Sequence, residues 1–192
     1  MILPVYGYGE PVLRKHCEEI TKDHPNLKEI IANMYETMYH AHGVGLAAPQ
    51  VGLPIRIFLV DTEPFSESDD VSKEEAAELK KFKQTFINAK ILKEEGDLWA
   101  FNEGCLSIPD VREDVFRHDI ITIEYFDENF NRLSLEDAKI ISASCCAQVS
   151  YRKNDPGFTK AFKIWEQLIE NDPVHASPIE HQATPMDIDS MC

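Results

Sequence analysis

Basic residues are scarce in this chain. Its 19 Lys and Arg stand against 34 Asp and Glu, giving a formal net charge of −15. That shortage argues against a nucleic-acid-binding surface, which needs clustered Lys and Arg to hold phosphates. Long apolar runs are also missing, and none approaches the ~20 residues that a membrane-spanning helix needs. The opening "MILPVYGYGE" has neither a basic n-region nor a long apolar h-region, so no secretory signal is expected and the cytoplasm is the default compartment. Cysteines are few and irregularly spaced. Cys17, Cys105, Cys145, Cys146 and Cys192 do not make a disulfide framework and read as free thiols.

What is present suffices for a folded core. The hydrophobic fraction is 43% over 192 residues, enough for one domain or one and a half. "PNLKEIIANMYETMYHAHG" predicts an amphipathic helix, with Leu27, Ile30, Ile31, Met34 and Met38 along one side. Pro25 suits its first turn and Gly43 the position that ends it. "PIRIFLVD", 54–61, predicts a strand, and an acid-rich loop with a short helix at "KEEAAELKK" follows. "TFINAKILKEEG" predicts a second strand with a turn at its end. "HDIITIEYFDENF" predicts a third, with a hairpin turn at Asp127 to Asn129. The fold class expected is α+β, with strands packed around an early helix.

Beyond Phe130 the pattern becomes helical. "SLEDAKIISASCCAQVSY" predicts a helix with Ser134 as N-cap. "NDPGFTKAFKIWEQLIEND" predicts another, capped by Asp155, with Phe158, Ala161, Phe162, Trp165, Leu168 and Ile169 as its apolar stripe. The stretch after it is rich in proline and polar residues and reads as a loose tail. No Gly/Ser or Pro linker separates the two regions near residues 131–137, which argues against two independently folded units.

Two short stretches carry chemistry. In "GVGLAAPQ", 43–50, Gly43 and Gly45 permit close backbone approach, and Ala47 and Ala48 keep the wall thin. Gln50 adds a donor and an acceptor without charge. The combination suits a small carbonyl or a developing oxyanion. On spacing alone a helix C-cap followed by a buried loop is the favoured reading. In "EGCLSIP", 103–109, Cys105 could be a soft metal ligand, a nucleophile beside a base, or an ordinary small buried residue.

Taken together, "GVGLAAPQ", then "EGCLSIP", with "YGEPVLRK" near the start, resemble the peptide deformylases over residues 1–131. These are metal-dependent hydrolases that remove the N-formyl group from new polypeptides. The resemblance implies Cys105 as thiolate ligand of a divalent metal, Fe2+ or also Ni2+ or Zn2+. It implies that Gln50 and the backbone N–H of Leu106 hold the formyl oxygen. Gly43, Val44, Gly45, Glu103 and Gly104 would bind substrate, with Gly45 lining the peptide channel. The implied partners are N-formylmethionyl peptides or nascent chains at the ribosome, without direct nucleic-acid or membrane binding.

The family's third motif, HExxH on a helix, is absent. The histidines are His16, His24, His40, His42, His118, His175 and His181, and no two are four apart. Adjacent Cys145 and Cys146 would point about 100° apart on a helix and could not easily chelate one ion. The expectation is a deformylase-like hydrolase impaired in metal binding. Residues 136–186, with Ser177, Pro178, Glu180 and His181 in "SPIEH", resemble the N-terminal part of flavin-dependent thymidylate synthases. That family's Arg-His-Arg flavin and nucleotide motif is missing, so no FAD is expected. The division expected is a deformylase-like part, 1–133, and a helical segment with tail, 134–192. The alternative functions are a thymidylate synthase fragment and a non-catalytic formyl-peptide-binding module.

Overall fold

The computed structural model describes residues 1–68 and 71–138; the helices expected over 139–192 lie outside the described residues. Five strands form one sheet: β1 (Gly45–Ala47), β2 (Ile57–Asp61), β3 (Lys83–Cys105), β4 (Ile108–Phe126) and β5 (Arg132–Ala138). They lie side by side in chain order, and every neighbouring pair is antiparallel. Helix α1 (Leu27–His40) covers one face of the sheet and α2 (Lys73–Leu79) sits on the other.

β2 shows why this sheet has two cores. Each of its residues is buried. Ile57 and Leu59 pack with Ile31, Met34 and Met38 of α1, whereas Phe58 and Val60 pack with Leu79, Phe86 and Ile121 on the far side. A strand covered on both faces reads as an unbroken apolar run, which is what "IFLV" is. Phe58 sits opposite Phe86 in the register, their rings stacked at 4.5 Å, and Tyr125 meets Phe86 at 4.4 Å. Such aromatic pairs add to the stabilisation from burial alone.

α1 begins and ends differently from the sequence expectation. Pro25 precedes the helix, and Asn26, in the left-handed region at φ 57°, stands at its N-cap. At the other end His42, not Gly43, takes the left-handed position, at φ 55°. His42 N–H donates to Tyr39 O at 3.0 Å and Gly43 N–H to Met38 O at 2.9 Å. This pair of bonds is a Schellman closure, which satisfies the last carbonyls of the helix. Gly43 is thereby freed for a packing role at the site.

The short acidic helix is α2 as expected, with the Ser72 hydroxyl accepting from Glu75 N–H at 3.2 Å as its N-cap. The turn expected at Gly96 is absent. β3 runs on through a bulge between Glu95 and Leu98 and continues to Cys105. β4 likewise starts ten residues before His118, at Ile108, so β3 and β4 make one long hairpin whose turn is Leu106–Ser107. The Asp127 turn is confirmed: Asp127 Oδ1 accepts from Asn129 N–H at 2.9 Å and Asn131 N–H at 2.8 Å.

The helix expected from Ser134 is corrected over its first residues. Residues 132–138 are β5, paired along β4 from Phe126↔Arg132 to Ile120↔Ala138. Ser134 sits opposite Glu124 and caps nothing. Leu135 packs on the core that contains Ile121 and Ile123. Among the described residues no helix is long and apolar enough to cross a membrane.

Candidate active site

The long hairpin carries "EGCLSIP" at its tip and α1 delivers "GVGLAAPQ" beside it. Gly43 is where they touch. A Cβ there would lie 2.7 Å from Leu106 Cδ1, inside any permissible contact. A side chain here would have to push the Leu106 methyl aside, so glycine lets the two motifs meet without adjustment. From Gly43 the chain enters β1, where Gly45 faces Val60, and then a 3-10 turn, Ala48–Val51, that presents Gln50. Gly52 ends that turn at φ 86°, a conformation that glycine adopts freely.

Gln50 is only 3% exposed, and its amide is held from both ends. Its Oε1 accepts from Ala47 N–H at 2.9 Å. This is half of a capping box; the other half cannot form, because Ala47 has no side-chain oxygen. Its Nε2 donates to Ser107 Oγ at 3.2 Å and to Cys105 Sγ at 3.7 Å. A primary amide has two N–H donors, and both are engaged by the hairpin tip. A third segment ties the motifs together: Tyr6 N–H donates to Gln50 O at 2.8 Å, and Tyr8 N–H donates to Ser107 O at 2.7 Å. The N-terminal stretch thus bridges the Gln50 turn and the Cys105 turn through backbone alone.

The structure places Gln50 beside Cys105 and Gly43 beside Leu106, with Gly45 in the strand leading to Gln50. Val44 O accepts from Asp61 N–H at 2.9 Å and so belongs to the sheet edge. Glu103 has a different employment. Its Oε1 and Oε2 accept from Arg117 Nε at 2.8 Å and Nη2 at 2.9 Å, a bidentate pair in which the side chains are 14% and 9% exposed. Gly104 lies against Arg112, with a notional Cβ 3.0 Å from Nη1. Arg112 in turn donates through Nε to Asn102 Oδ1 and through Nη2 to Asn102 O, both at 2.7 Å. These two arginines brace the hairpin behind its tip.

Sequence reasoning did not single out Ser107, Arg117, Tyr6 or Tyr8. Ser107 lay within the quoted motif, but its value depends on a turn placing its hydroxyl beside Gln50. Arg117 pairs with Trp99 in the register and reaches Glu103 further along the hairpin, a contact that no local pattern announces. The tyrosines act through backbone N–H groups, for which residue type carries no signal.

Among the described residues the donor set is short of what a resident metal needs. Cys105 contributes one sulfur, but among the described residues no group of three His, Cys, Asp or Glu side chains could hold an ion. His24 and His118 instead pair their Nδ1 atoms with the carbonyls of Pro25, at 3.1 Å, and Gly96, at 3.2 Å.

A glutamine held beside a cysteine-bearing hairpin tip is the arrangement that the deformylase resemblance implied, and the sheet is similar to that of a solved peptide deformylase. A family model for polypeptide deformylase matches residues 2–149. A peptide deformylase of Flavobacterium psychrophilum is 76% identical over 136 residues, covering 71% of this chain and 70% of that protein. One from Flavobacterium johnsoniae is 70% identical over 130 residues, covering 68% of this chain and 66% of that protein. The crystal structure of peptide deformylase from Thermotoga maritima superposes with TM-score 0.65 at 30% identity, covering 77% of this chain and 89% of that one. The chain belongs to the peptide deformylase family of hydrolases. The match spans about two thirds of the length of these curated relatives, and the family model continues past residue 131, where the resemblance read from sequence stopped.

Proposed function

We propose that this chain recognises N-formylmethionyl ends of newly made polypeptides in the cytoplasm, as a deformylase acting on a linear amide. The observation that carries the reading is the Gln50 amide, buried and fixed against Cys105 and Ser107. A formyl group is a small, uncharged carbonyl. It needs donors preorganised in a thin-walled pocket, and Gln50 with the Leu106 N–H supplies them. To reach the formyl oxygen, Gln50 exchanges its longer contact, to sulfur, for an oxygen acceptor and keeps Ser107 and Ala47. Gly43, Val44 and Gly45 offer backbone to the peptide on one side, and Glu103 and Gly104 shape the other.

Hydrolysis adds water to the formyl carbon, breaks the C–N bond and releases formate and a free amine. With no HExxH in the chain, turnover is expected to fall well behind binding. The test is calorimetry with formyl-Met-Ala-Ser and Met-Ala-Ser, alongside an assay for released amine. Tighter binding of the formylated peptide by about tenfold or more supports the reading, because that ratio needs about 1.4 kcal/mol of differential contact. Equal affinity for the two peptides rejects it. The deformylase-like part runs past residue 133, because residues 132–138 complete its sheet, and any distinct segment begins after it. Its likeness to thymidylate synthase over 136–186 rests on sequence strings alone, and flavin absorbance in the purified protein is its check.

A further inference from the structure

We infer that Ser107 is the positioning residue of the formyl-oxygen cradle: its hydroxyl holds one N–H of the Gln50 amide, which leaves the other N–H aimed for the formyl oxygen. The inference rests on the formyl-peptide reading above and deepens it.

Three observations carry it. First, the amide sits one way round. The Ala47 N–H can only donate, and it donates to Gln50 Oε1 at 2.9 Å. That bond assigns the oxygen end, so Nε2 is the end turned to the hairpin tip. Secondly, Ser107 Oγ is the nearer of two acceptors on the tip. Nε2 lies 3.2 Å from it and 3.7 Å from Cys105 Sγ, and sulfur is the weaker acceptor. A carbonyl arriving at the tip displaces the longer contact and leaves the Ser107 bond to hold the amide. Thirdly, Ser107 is itself fixed. It is 2% exposed, and its carbonyl accepts from Tyr8 N–H at 2.7 Å. It follows Leu106 directly in the hairpin turn. The Gln50–Ser107 bond therefore ties the side-chain donor of the cradle to the turn that carries the backbone donor.

Burial gives this bond its weight. Gln50 is 3% exposed, so a protein acceptor lost from its amide is not readily replaced by bulk water. Without the hydroxyl the amide pivots about its bond from Ala47, and the second N–H loses its aim. A donor that must be reoriented at binding gives up the advantage of preorganisation. The loss falls on the formyl group, because that is the part of the ligand this amide meets.

The experiment uses the full chain with its Ser107→Ala and Ser107→Thr variants. Calorimetry measures affinity for formyl-Met-Ala-Ser and for Met-Ala-Ser. The readout is their ratio, which a general loosening of the fold would not move. The inference expects the ratio to fall by about threefold to tenfold in Ser107→Ala, one hydrogen bond's share, with Met-Ala-Ser affinity within about twofold of the parent. Ser107→Thr keeps the hydroxyl and should return most of the ratio. In the parent, NMR should show the Gln50 side-chain amide as ordered as the backbone around it. A nuclear Overhauser contact from that amide to the Ser107 Hβ protons should persist when formyl-Met-Ala-Ser is bound. An unchanged ratio in a folded Ser107→Ala overturns the inference and leaves the formyl-peptide reading standing. Loss of the Overhauser contact on binding the formylated peptide does the same, and it is read in the parent, however the variants fold. Equal affinities for the two peptides in the parent overturn the formyl-peptide reading, and the inference falls with it.

Discussion

The Gln50 amide nitrogen lies 3.2 Å from the Ser107 hydroxyl oxygen, joining the helix-to-strand loop to the hairpin tip through two buried side chains. Gln50→Leu removes the acceptor of Ala47 N–H and the donor to Ser107 together. Leaving buried polar groups unpaired costs about 1–3 kcal/mol. Urea unfolding should show a lower midpoint with an unchanged m-value. Ser107→Ala should lose less, since Gln50 then keeps its contacts with Ala47 and Cys105.

Gly43→Ala is expected to destabilise the chain because its new Cβ would meet Leu106 Cδ1 at 2.7 Å. Overpacking of this kind costs about 1–3 kcal/mol. Leu106→Ala in the same chain should relieve the clash. The pair should therefore be strongly non-additive in a double-mutant cycle read by thermal unfolding.

Arg117→Met should be the most damaging single change in the hairpin. It strands the Glu103 carboxylate, whose side chain is only 14% exposed, without its bidentate partner. Removing one member of a buried pair costs about 3–5 kcal/mol. Adding Glu103→Leu should recover much of the loss, because the uncompensated charge goes with it. If the double variant were as unstable as Arg117→Met, the pair would not be the cause.

Asp127 should titrate below the ordinary carboxylate range. Partial burial pushes its carboxyl up, but the side-chain and backbone N–H groups of Asn131 and the backbone N–H of Asn129 together outweigh that and lower it. A folded-state value below the unfolded one means that the turn's contribution is complete above about pH 4, the unfolded carboxylate range, and is lost as pH falls through the lower folded value. Carboxyl NMR should place the midpoint below that of an unfolded peptide, and Asn131→Ala should move it upward.

The legible parts of the fold were those where local pattern and final packing agree. β2 is one: "IFLV" is apolar throughout and is covered on both sides. α1 is another, because its stripe of Leu27, Ile31, Met34 and Met38 is the side that became buried. β5 was misread because "SLED" fits a helix start as well as a strand. Leu133 and Leu135 alternate with polar neighbours, and pairing with β4 decided the matter. Gly96 looked like a turn but sits in a bulge, since the strand partners on either side outweigh one flexible residue. At the site, Gln50 and Cys105 were visible from their motifs. Ser107's role and the tyrosine bridge were not, because they arise only when distant backbone segments are brought together.

The bridge made by Tyr6 and Tyr8 has a consequence for the order of events during synthesis. The first ten residues emerge early, yet the acceptor of the Tyr8 N–H, Ser107 O, comes into place only once the hairpin has folded back. Leu3 and Tyr6 can meet Thr37 and Gln50 early, but the bond from Tyr8 to Ser107 waits until more than half the chain is made. A chain interrupted before the hairpin tip would hold the Gln50 loop by Tyr6 and Ala47 alone, without the fastening from Ser107.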